Sequence, residues 1–250
     1  MSAGAAKGMR AVILAGGKGV RLQPFTVSFP KPLVPLGDIP VVEVLVRRLI
    51  DYGITDVTLT LGHLADLIKA YFHHRQALSE QLTLHYVVED QPTGTAGSLS
   101  FVPGLTDTFL VMNGDLLTDL DFDALVSFHR RKRAALTIAA YSRTVKIDLG
   151  VLEIGDDDRL VGYREKPEIR HEVSMGVYVY EPRVLDYIER GEYLDFPDLV
   201  LKLIAANEKV CAWPWDGLWL DIGRPDDYAQ AQALFTDRPA AFLADHPAGI

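Results

Sequence analysis

The chain is predicted to form a three-layer α/β/α domain around a mostly parallel β-sheet. Short apolar segments recur along its first half, and segments of helical periodicity separate them. Such alternation puts helices on both faces of a parallel sheet. The 250 residues, 48% of them hydrophobic, can supply one large core. We expect a single domain over residues 9–237, with flexible termini at 1–8 and 238–250.

Periodicity gives the individual elements of this α/β pattern. The run RAVILA (10–15) is typical of a buried parallel strand, and DVTLTL (56–61) alternates as a strand does. Further strands are expected at 82–88, 108–112, 134–141, 149–154, 160–163 and 173–180. Helices are expected at 40–52, 63–77, 122–133, 182–189, 196–206 and 225–234.

Charge and cysteine content limit the class of protein. The formal net charge is −9, which argues against nonspecific DNA binding and against an anionic membrane surface. Binding of an anionic substrate would therefore require a locally positive pocket. Cys211 is the only cysteine and forms no intrachain disulfide, so a reducing, cytoplasmic location is expected. Its residue type in a strand favours a buried side chain over a nucleophile.

A glycine-rich segment follows the first strand. Three glycines in four positions let bare backbone N–H groups approach an anion. Two cations follow, Arg21 and Lys31, and prolines on both sides of Lys31 stiffen its backbone. The segment therefore predicts a polyphosphate site. Its residues are Leu14, Ala15, Gly16, Gly17, Lys18, Gly19, Arg21 and Lys31.

Two common phosphate motifs do not explain this segment. A P-loop needs GxxxxGK followed by Ser or Thr, and the chain has no such run. The dinucleotide fingerprint GxGxxG needs a third glycine, but Val20, Arg21 and Leu22 follow Gly19. An ordinary Gly-rich βα turn would have no use for Arg21 or for the Pro-Lys-Pro sequence.

From Gly16 to Pro35 the chain resembles the sugar nucleotidyltransferases, whose signature is close to GGxGxRLxPxTxxxPKPxxP. The match is nearly position for position, with Phe25 where the family often has Leu. The resemblance implies the Rossmann-like sheet of the nucleotide-diphospho-sugar transferase type. It also implies a reaction that joins a nucleoside triphosphate to a sugar 1-phosphate and releases pyrophosphate.

Two aspartates are candidate metal ligands. Asn113-Gly114-Asp115 ends a predicted buried strand, at the edge of the sheet where ligands bind. The resemblance identifies Asp115 as the metal-binding aspartate and Asp221, in WLDIGRP, as a second ligand. One or two carboxylates plus phosphate oxygens suit Mg²⁺. The alternative for Asp221 is an N-cap of the following helix.

The run EDQPTGTAGS (89–98) is the expected base-reading loop. Gln91 offers a donor and an acceptor to a base edge, while Asn113, Gly114, Gly94 and Thr95 complete the predicted nucleotide site. Thr95 could also serve as the N-cap of a helix from Ala96 to Phe101. The GTAG run is similar to that of guanylyl-transferring members, so GTP with a mannose or manno-heptose 1-phosphate is favoured.

The residues expected to bind the sugar phosphate are assigned through the resemblance alone. Lys166, in YREKPE, matches the lysine that holds its phosphate, and Glu165 would accept sugar hydroxyls. Gly150 matches a glycine that admits the sugar, and Ser174 would line the same pocket. The late strands are expected to extend the sheet and to form a lid over the sugar.

The predicted mechanism is in-line attack of the sugar phosphate on the α-phosphorus, with positioning and charge neutralisation by Arg21, Lys31 and Asp115. The alternatives are the same reaction with UTP or dTTP and another hexose 1-phosphate, such as glucose or N-acetylmuramate, a glycosyltransferase, and a non-catalytic nucleotide-sugar sensor. A homodimer is expected by analogy only, and neither nucleic acid nor a membrane is an expected partner.

Overall fold

The computed structural model describes residues 4–17, 19–22 and 25–243, so the predicted nucleotide-binding residue Lys18 lies outside the described residues. The strands are β1 (Arg10–Ala15), β2 (Pro35–Leu36), β3 (Ile39–Pro40), β4 (Asp56–Leu61), β5 (Thr83–Val88), β6 (Phe109–Asn113), β7 (Leu116–Thr118), β8 (Leu136–Lys146), β9 (Val151–Ile154), β10 (Leu160–Arg164), β11 (Glu168–Tyr180), β12 (Val210–Trp215) and β13 (Trp219–Asp221).

The α-helices are α1 (Val41–Asp51), α2 (Ala65–His73), α3 (Gln76–Ser79), α4 (Gly94–Gly97), α5 (Phe122–Lys132), α6 (Phe196–Ala205) and α7 (Pro225–Asp237). Short 3₁₀ turns lie at Val20–Leu22, Phe25–Val27, Lys31–Leu33, Ser98–Phe101, Pro182–Tyr187 and Pro239–Ala241. Within the described ranges, no helix is both long and apolar enough to cross a bilayer.

The central sheet has seven strands in the order β12-β8-β11-β6-β1-β4-β5. Its neighbours pair in parallel except β11, which runs antiparallel to both β6 and β8. The carboxyl ends of β1, β4, β5 and β6 therefore meet at one edge, where ligands of such sheets bind. The predicted mostly parallel α/β sheet is confirmed.

Alternating side chains of β1 explain the three layers. Ala11 and Ile13 belong to a core cluster with the apolar face of α1, whereas Val12 packs on the other face with Leu99 and Leu199. Both faces of the sheet are thus covered, as the continuous apolar run RAVILA predicts. Gly53, with φ 71°, follows the end of α1 and provides the expected stop.

Strands β8 and β11 are longer than predicted, and their outer parts extend beyond the other strands of the central sheet. Beyond Tyr141, β8 no longer pairs with β12, and β11 pairs with β6 only from Val177 onward. Their outer parts and the β9–β10 hairpin between them form a projection, residues 142–173, that we call the arm. Polar, alternating side chains allow these outer parts to remain in solvent. Their extent was not predicted because they lack the apolar periodicity from which strands are identified.

One other prediction differs from the structure. The single helix expected at 63–77 is divided into α2 and α3, and Leu64 before it has φ 60°. In the described parts of the termini, Ala6 and Phe242 are fully buried. The Ala6 amide donates to Asp123 Oδ1 (2.7 Å), and Arg48 donates to the Ala241 carbonyl (3.1 Å).

Candidate active site

The glycine-rich segment folds back onto the turn that carries the second cation. Gly19 has φ 60°, and a Cβ there would lie 2.9 Å from Thr26 Cγ2 and 3.1 Å from Lys31 Cβ. The Thr26 hydroxyl donates to the Gly19 carbonyl at 2.7 Å. Glycine is needed at this position because a side chain would force the two segments apart.

Lys31 begins a 3₁₀ turn whose proline neighbours fix its direction. The Val34 amide donates to the Lys31 carbonyl at 3.0 Å, and Pro30 precedes the turn in an extended conformation. The Lys31 side chain is 10% exposed and forms a salt bridge with Asp115 Oδ2. Its Nζ also lies 4.0 Å from Asp221 Oδ1. The two predicted metal ligands thus share one lysine.

Backbone hydrogen bonds bring the two aspartates together from distant segments. The Gly114 amide donates to the Leu14 carbonyl (2.9 Å), which ties the residue before Asp115 to β1. Asp221 ends β13, and the next amide, of Ile222, donates to the Asp115 carbonyl at 3.0 Å. The N-cap alternative for Asp221 is excluded, because Arg224 occupies that position of α7.

The electrostatics of this pair fit a divalent cation. Burial raises the pKa of Asp221, and the Asp115 charge raises it further, while Lys31 and Arg21 oppose the shift. Asp115 Oδ1 is buried and has no hydrogen-bond partner among the described residues. The described residues contain no cluster of three or more metal-ligating side chains. Two carboxylates with one open oxygen suit an ion that takes its other ligands from water and phosphate.

A cavity of about 270 Å³, which we call the first cavity, opens beside Lys31 and Asp115. Ten predicted residues line it: Leu14, Ala15, Gly16, Gly17, Lys31, Gly94, Thr95, Asn113, Gly114 and Asp115. The other lining residues were not predicted as site residues: Pro32, Thr60, Glu89, Pro92, Ser98, Tyr193 and Asp195. Most of the predicted nucleotide site is therefore brought together in one place.

The loop at 89–98, predicted to read the base, is attached to the segment before α6. Gly94 has φ 82°, and a Cβ there would lie 2.5 Å from the Leu194 carbonyl oxygen. The Thr95 amide donates to Asp195 Oδ1 (3.1 Å), and the Phe196 amide donates to Thr95 Oγ1 (2.8 Å). Thr95 therefore caps α6, and it is not the N-cap of its own helix as the alternative supposed.

Gln91 does not line the first cavity, so its base-reading role stays a prediction. Its side chain is exposed, and it is not among the residues that line the first cavity. Glu89, two residues earlier, lines the cavity instead. Tyr193 and Asp195 were missed because nothing in the sequence links a loop about 100 residues away to this site. The Tyr193 hydroxyl donates to Asp195 Oδ2 at 2.7 Å.

Arg21 and Asp221 line a second cavity of about 520 Å³, whereas Lys31 and Asp115 line the first. Arg143 and Arg224 add two further cations, and Tyr141 and Trp219 supply aromatic walls. The two rings lie 5.2 Å apart, and the Trp219 indole N–H donates to the Met175 carbonyl. Trp219 thus packs against Tyr141 and also faces a cavity.

The predicted sugar-phosphate residues fall into two places. Gly150, Glu165 and Lys166 lie together on the arm, where the Tyr163 hydroxyl donates to Glu165 Oε2 at 2.8 Å. Lys166 has φ 45° and its side chain is 58% exposed. From Glu168 to Gly176 the extended β11 covers roughly 25 Å, so Lys166 does not join the aspartate pair in this conformation.

Ser174 lies at the base of the arm, where β11 pairs with Ala140 of β8. Its Oγ donates to the Tyr178 hydroxyl at 3.2 Å. Burial raises the pKa of Tyr178 to about 12, and the charge of Asp115 contributes in the same direction. Ser174 is therefore the one predicted sugar-phosphate residue that the structure places near the aspartates.

Comparison with known proteins agrees with this geometry. A family model described as nucleotidyl transferase matches residues 10–238. The chain is 36% identical over 243 residues to a UTP–glucose-1-phosphate uridylyltransferase from Synechocystis, covering 89% of this chain and 62% of the relative. It is 33% identical over 229 residues to a mannose-1-phosphate guanylyltransferase from Mycobacterium tuberculosis, covering 89% and 63%.

Solved structures show the same fold. A Bacillus anthracis protein assigned as a glucose-1-phosphate thymidylyltransferase superposes with TM-score 0.72 at 25% identity, covering 97% of this chain and 98% of that one. HddC from Yersinia pseudotuberculosis superposes with TM-score 0.68 at 24% identity, covering 91% and 99%. The chain spans just under two thirds of the length of the curated relatives described above. From the extent of the family match, the chain belongs to the nucleotidyl transferase family.

Proposed function

We propose that the protein transfers a nucleotidyl group from a nucleoside triphosphate to a sugar 1-phosphate and releases pyrophosphate. The observation that carries this proposal is the position of Lys31, Asp115 and Asp221 between two cavities. A transferase must hold two phosphate substrates against one reacting phosphorus. A sensor that binds one nucleotide sugar has no need of cations on both sides of a carboxylate pair.

In this proposal the nucleotide occupies the first cavity, with its phosphates against the backbone of Gly16 and Gly17 and beside Lys31. Arg21 and Lys31 stabilise the charge that develops on the transferred phosphoryl group and on pyrophosphate. The attacking sugar phosphate is already ionised, so no protein nucleophile is needed, and positioning supplies most of the acceleration.

A divalent cation, Mg²⁺ in our proposal, would be held by Asp115 and Asp221 and would neutralise phosphate charge. The open oxygen of Asp115 and the raised pKa of Asp221 support this assignment. Glu165, Lys166 and Gly150 keep their predicted role in holding the sugar phosphate. That role requires the arm to approach the aspartates.

We favour GTP and a mannose or manno-heptose 1-phosphate, from the similarity of the GTAG run to guanylyl-transferring relatives. The second candidate pair is UTP with glucose 1-phosphate, which the name of the Synechocystis relative favours. A cytoplasmic location, supported by the single cysteine, and a homodimer belong to the same proposal.

The test is incubation of the purified chain with Mg²⁺, each of four nucleoside triphosphates and a panel of sugar 1-phosphates, with pyrophosphate release and nucleotide-sugar formation as readouts. We expect release that requires both substrates. Arg21→Ala should lower kcat by roughly 10²–10³-fold, as the loss of one preorganised donor does. Arg183→Ala, a partly exposed arginine paired with Glu208, is the control and should leave turnover unchanged.

Other results would point to other functions. Pyrophosphate release without a sugar phosphate would indicate a hydrolase. Transfer of sugar from a nucleotide sugar would indicate a glycosyltransferase. Tight nucleotide-sugar binding without turnover would indicate a sensor.

A further inference from the structure

Unpaired arginine side chains are concentrated at the second cavity. In the part of the chain that the structure describes, the side chains of Arg21, Arg133, Arg143 and Arg224 make no hydrogen bond, salt bridge or ring contact. The other described arginines are engaged with carboxylates, carbonyls, hydroxyls or aromatic rings. All of the unpaired ones except Arg133 line the second cavity.

The charges of this cavity favour an anion. Its three arginines are exposed, so water solvates their charges in the free protein. Two carboxylates, Asp221 and Asp227, line the same cavity, and within the described ranges neither forms a salt bridge with these arginines. Asp221 is the residue proposed to bind the divalent cation, so positive charge is in excess once the cation is bound. Like charges that converge without partners repel each other, and an anion between them removes that repulsion.

The two outer arginines reach the cavity from different parts of the fold. Arg143 belongs to the arm, and it projects to the same side of β8 as Tyr141, because alternate residues of a strand share a face. The Tyr141 ring lies 5.2 Å from the ring of Trp219. Arg224 is the residue before α7, and its side chain makes no helix cap. An anion that is held by both arginines therefore joins the arm to α7.

The cavity adjoins the proposed cation site through Asp221. Asp221 Oδ1 lies 4.0 Å from the Nζ of Lys31, which lines the first cavity. A Cβ on Gly223 would lie 3.4 Å from Asp221 Oδ2 and 3.3 Å from Arg21 Nη2. Glycine at this position thus lets the Arg21 guanidinium group lie near the second oxygen of Asp221. A phosphate beside Arg21 would therefore be close to a proposed ligand of the cation.

The lining of the cavity suits a sugar phosphate. A guanidinium group binds phosphate through two parallel N–H donors. Tyr141 and Trp219 offer an aromatic wall to a sugar ring, and the volume of about 520 Å³ lies within the range of about 300–1,000 Å³ for small-molecule sites. In the proposed reaction the triphosphate occupies the first cavity, and the attacking and leaving oxygens lie in line with the α-phosphorus. The second cavity is the space next to Asp221 that remains for the acceptor.

We propose that Arg143 and Arg224 hold the phosphate of the sugar 1-phosphate when it first binds, before the arm brings Lys166 to it. Lys166 does not reach the aspartate pair in this conformation, so other cations make the first contact. Because Arg143 is part of the arm, occupancy of this site is linked to the position of the arm. The inference rests on the proposed function for the identity of the ligand, but it concerns binding and is measured without turnover.

The first test compares the wild type with Arg143→Gln, Arg224→Gln and the control Arg133→Gln. The control removes an unpaired arginine that does not line the cavity, so the change in net charge is the same. Binding of mannose 1-phosphate, glucose 1-phosphate, mannose and pyrophosphate to the nucleotide-free protein is measured by calorimetry with Mg²⁺. We expect sugar-phosphate affinity to fall by about 10-fold or more in each cavity variant, the range for a hydrogen bond to a charged group. The control should match the wild type.

Kinetics give a readout that a merely structural role would not move. We expect KM for the sugar phosphate to rise about 10-fold in Arg224→Gln, with kcat within about twofold of the wild type, because the first contact precedes the chemical step. The affinities for GTP and UTP should be unchanged. Lys166→Ala should bind sugar phosphate in the nucleotide-free protein as the wild type does, because Lys166 acts only after the arm approaches.

The wild type alone gives a second test, which does not depend on the folding of a variant. Phenylglyoxal modifies exposed guanidinium groups, and mass spectrometry of peptides gives the rate at each arginine. Mannose 1-phosphate or glucose 1-phosphate should slow the modification of Arg143 and Arg224, whereas mannose should not. Arg133 should react at the same rate throughout.

Unchanged sugar-phosphate binding in both cavity variants, or protection of neither arginine, would overturn the proposal. Weaker binding of pyrophosphate with unchanged binding of sugar phosphate would also overturn it, and would assign the cavity to the leaving group. If no pair of substrates supports turnover but the variants lose sugar-phosphate binding, the proposed reaction fails and the site holds. If turnover occurs with an unchanged KM in both variants, the site fails and the proposed reaction holds.

Discussion

The first cavity and the arm both carry predicted site residues, but they are built in different ways. The cavity is formed by backbone at the carboxyl ends of buried strands, and hydrogen bonds such as that from Gly114 to Leu14 fix its walls. The arm is two extended strands and a hairpin whose large apolar side chains, including Leu152 and Ile154, are exposed. A two-stranded hairpin without a covered face has little stability of its own. The first cavity, which we propose for the nucleotide, is therefore preformed, whereas the arm, which we propose for the sugar phosphate, has fewer packing contacts to hold it in place.

The largest effect is expected from Asp115→Asn. The change removes the negative charge that pairs with Lys31 and replaces one of the two carboxylate oxygens, of which Oδ1 is proposed to bind the cation, with an amide nitrogen. We expect a loss in kcat of about 10³-fold or more, measured as pyrophosphate release at saturating substrates. Asp66→Asn, whose carboxylate is 98% exposed on α2, is the matched control and should retain full turnover. Substantial activity in Asp115→Asn would mean that the reacting phosphorus lies elsewhere.

Lys166→Ala tests whether the arm takes part at all. If the arm closes over the aspartates during the reaction, the change should raise KM for the sugar phosphate by roughly 10-fold or more, because a charged hydrogen bond is lost. Nucleotide affinity, measured by calorimetry in the absence of sugar phosphate, should stay unchanged. Lys146→Ala, an exposed lysine on the same arm, is the control. Equal kinetics for the two variants would assign the sugar phosphate to the arginines of the second cavity instead.

Amide hydrogen exchange should show directly that the arm and the central strands differ in local stability. We expect fast exchange over 147–167 and slow exchange in β1, β4 and β6, because the central strands are buried on both faces. Nucleotide with Mg²⁺ should slow exchange around the first cavity only. Addition of sugar phosphate should then protect the arm. Protection of the arm by nucleotide alone would contradict the proposal that nucleotide contacts only the first cavity.

The smallest effect concerns Asp221 and stability. Its folded-state pKa is raised above the ordinary 3.8, so the contribution of this group to stability is present below that pH and is lost as pH rises through the folded value. Asp221→Asn should therefore raise the melting temperature of the free protein near pH 7, by up to about 2 °C because the group is partly exposed. The gain should vanish at pH 3–4, and Mg²⁺ with nucleotide should stabilise the wild type more than the variant. A lower melting temperature at pH 7 would mean that Lys31 and Arg21 outweigh the burial.

Much of the first cavity could be predicted because its signals are local. The strand at 10–15, the glycines after it and the Pro-Lys-Pro sequence are contiguous, and each residue type has a specific backbone role. Asp115 could be placed at a sheet edge because an apolar run ends just before it. The family match at residues 10–238 confirms that these local signals belong to the family.

The cavity residues that were not predicted depend on contacts that no local pattern encodes. Glu89 lies two positions before Gln91, and its side chain is held at the cavity by hydrogen bonds from the Thr93 amide and hydroxyl. Asp195 reaches the site through its bond to the Thr95 amide. The full length of β11 was missed because its outer part faces solvent and carries polar residues, which periodicity does not separate from a loop.

The attachment of Thr95 to the start of α6 has a mechanical consequence. The Leu194 amide donates to the Thr93 carbonyl, the Ala96 and Gly97 amides donate to the Leu194 carbonyl, and the hydroxyl of Thr95 receives the first amide of α6. Two stretches of chain a hundred residues apart therefore move as one piece. A shift of the loop that lines the first cavity would therefore be carried along α6 to Ala205, at the opposite end of the helix.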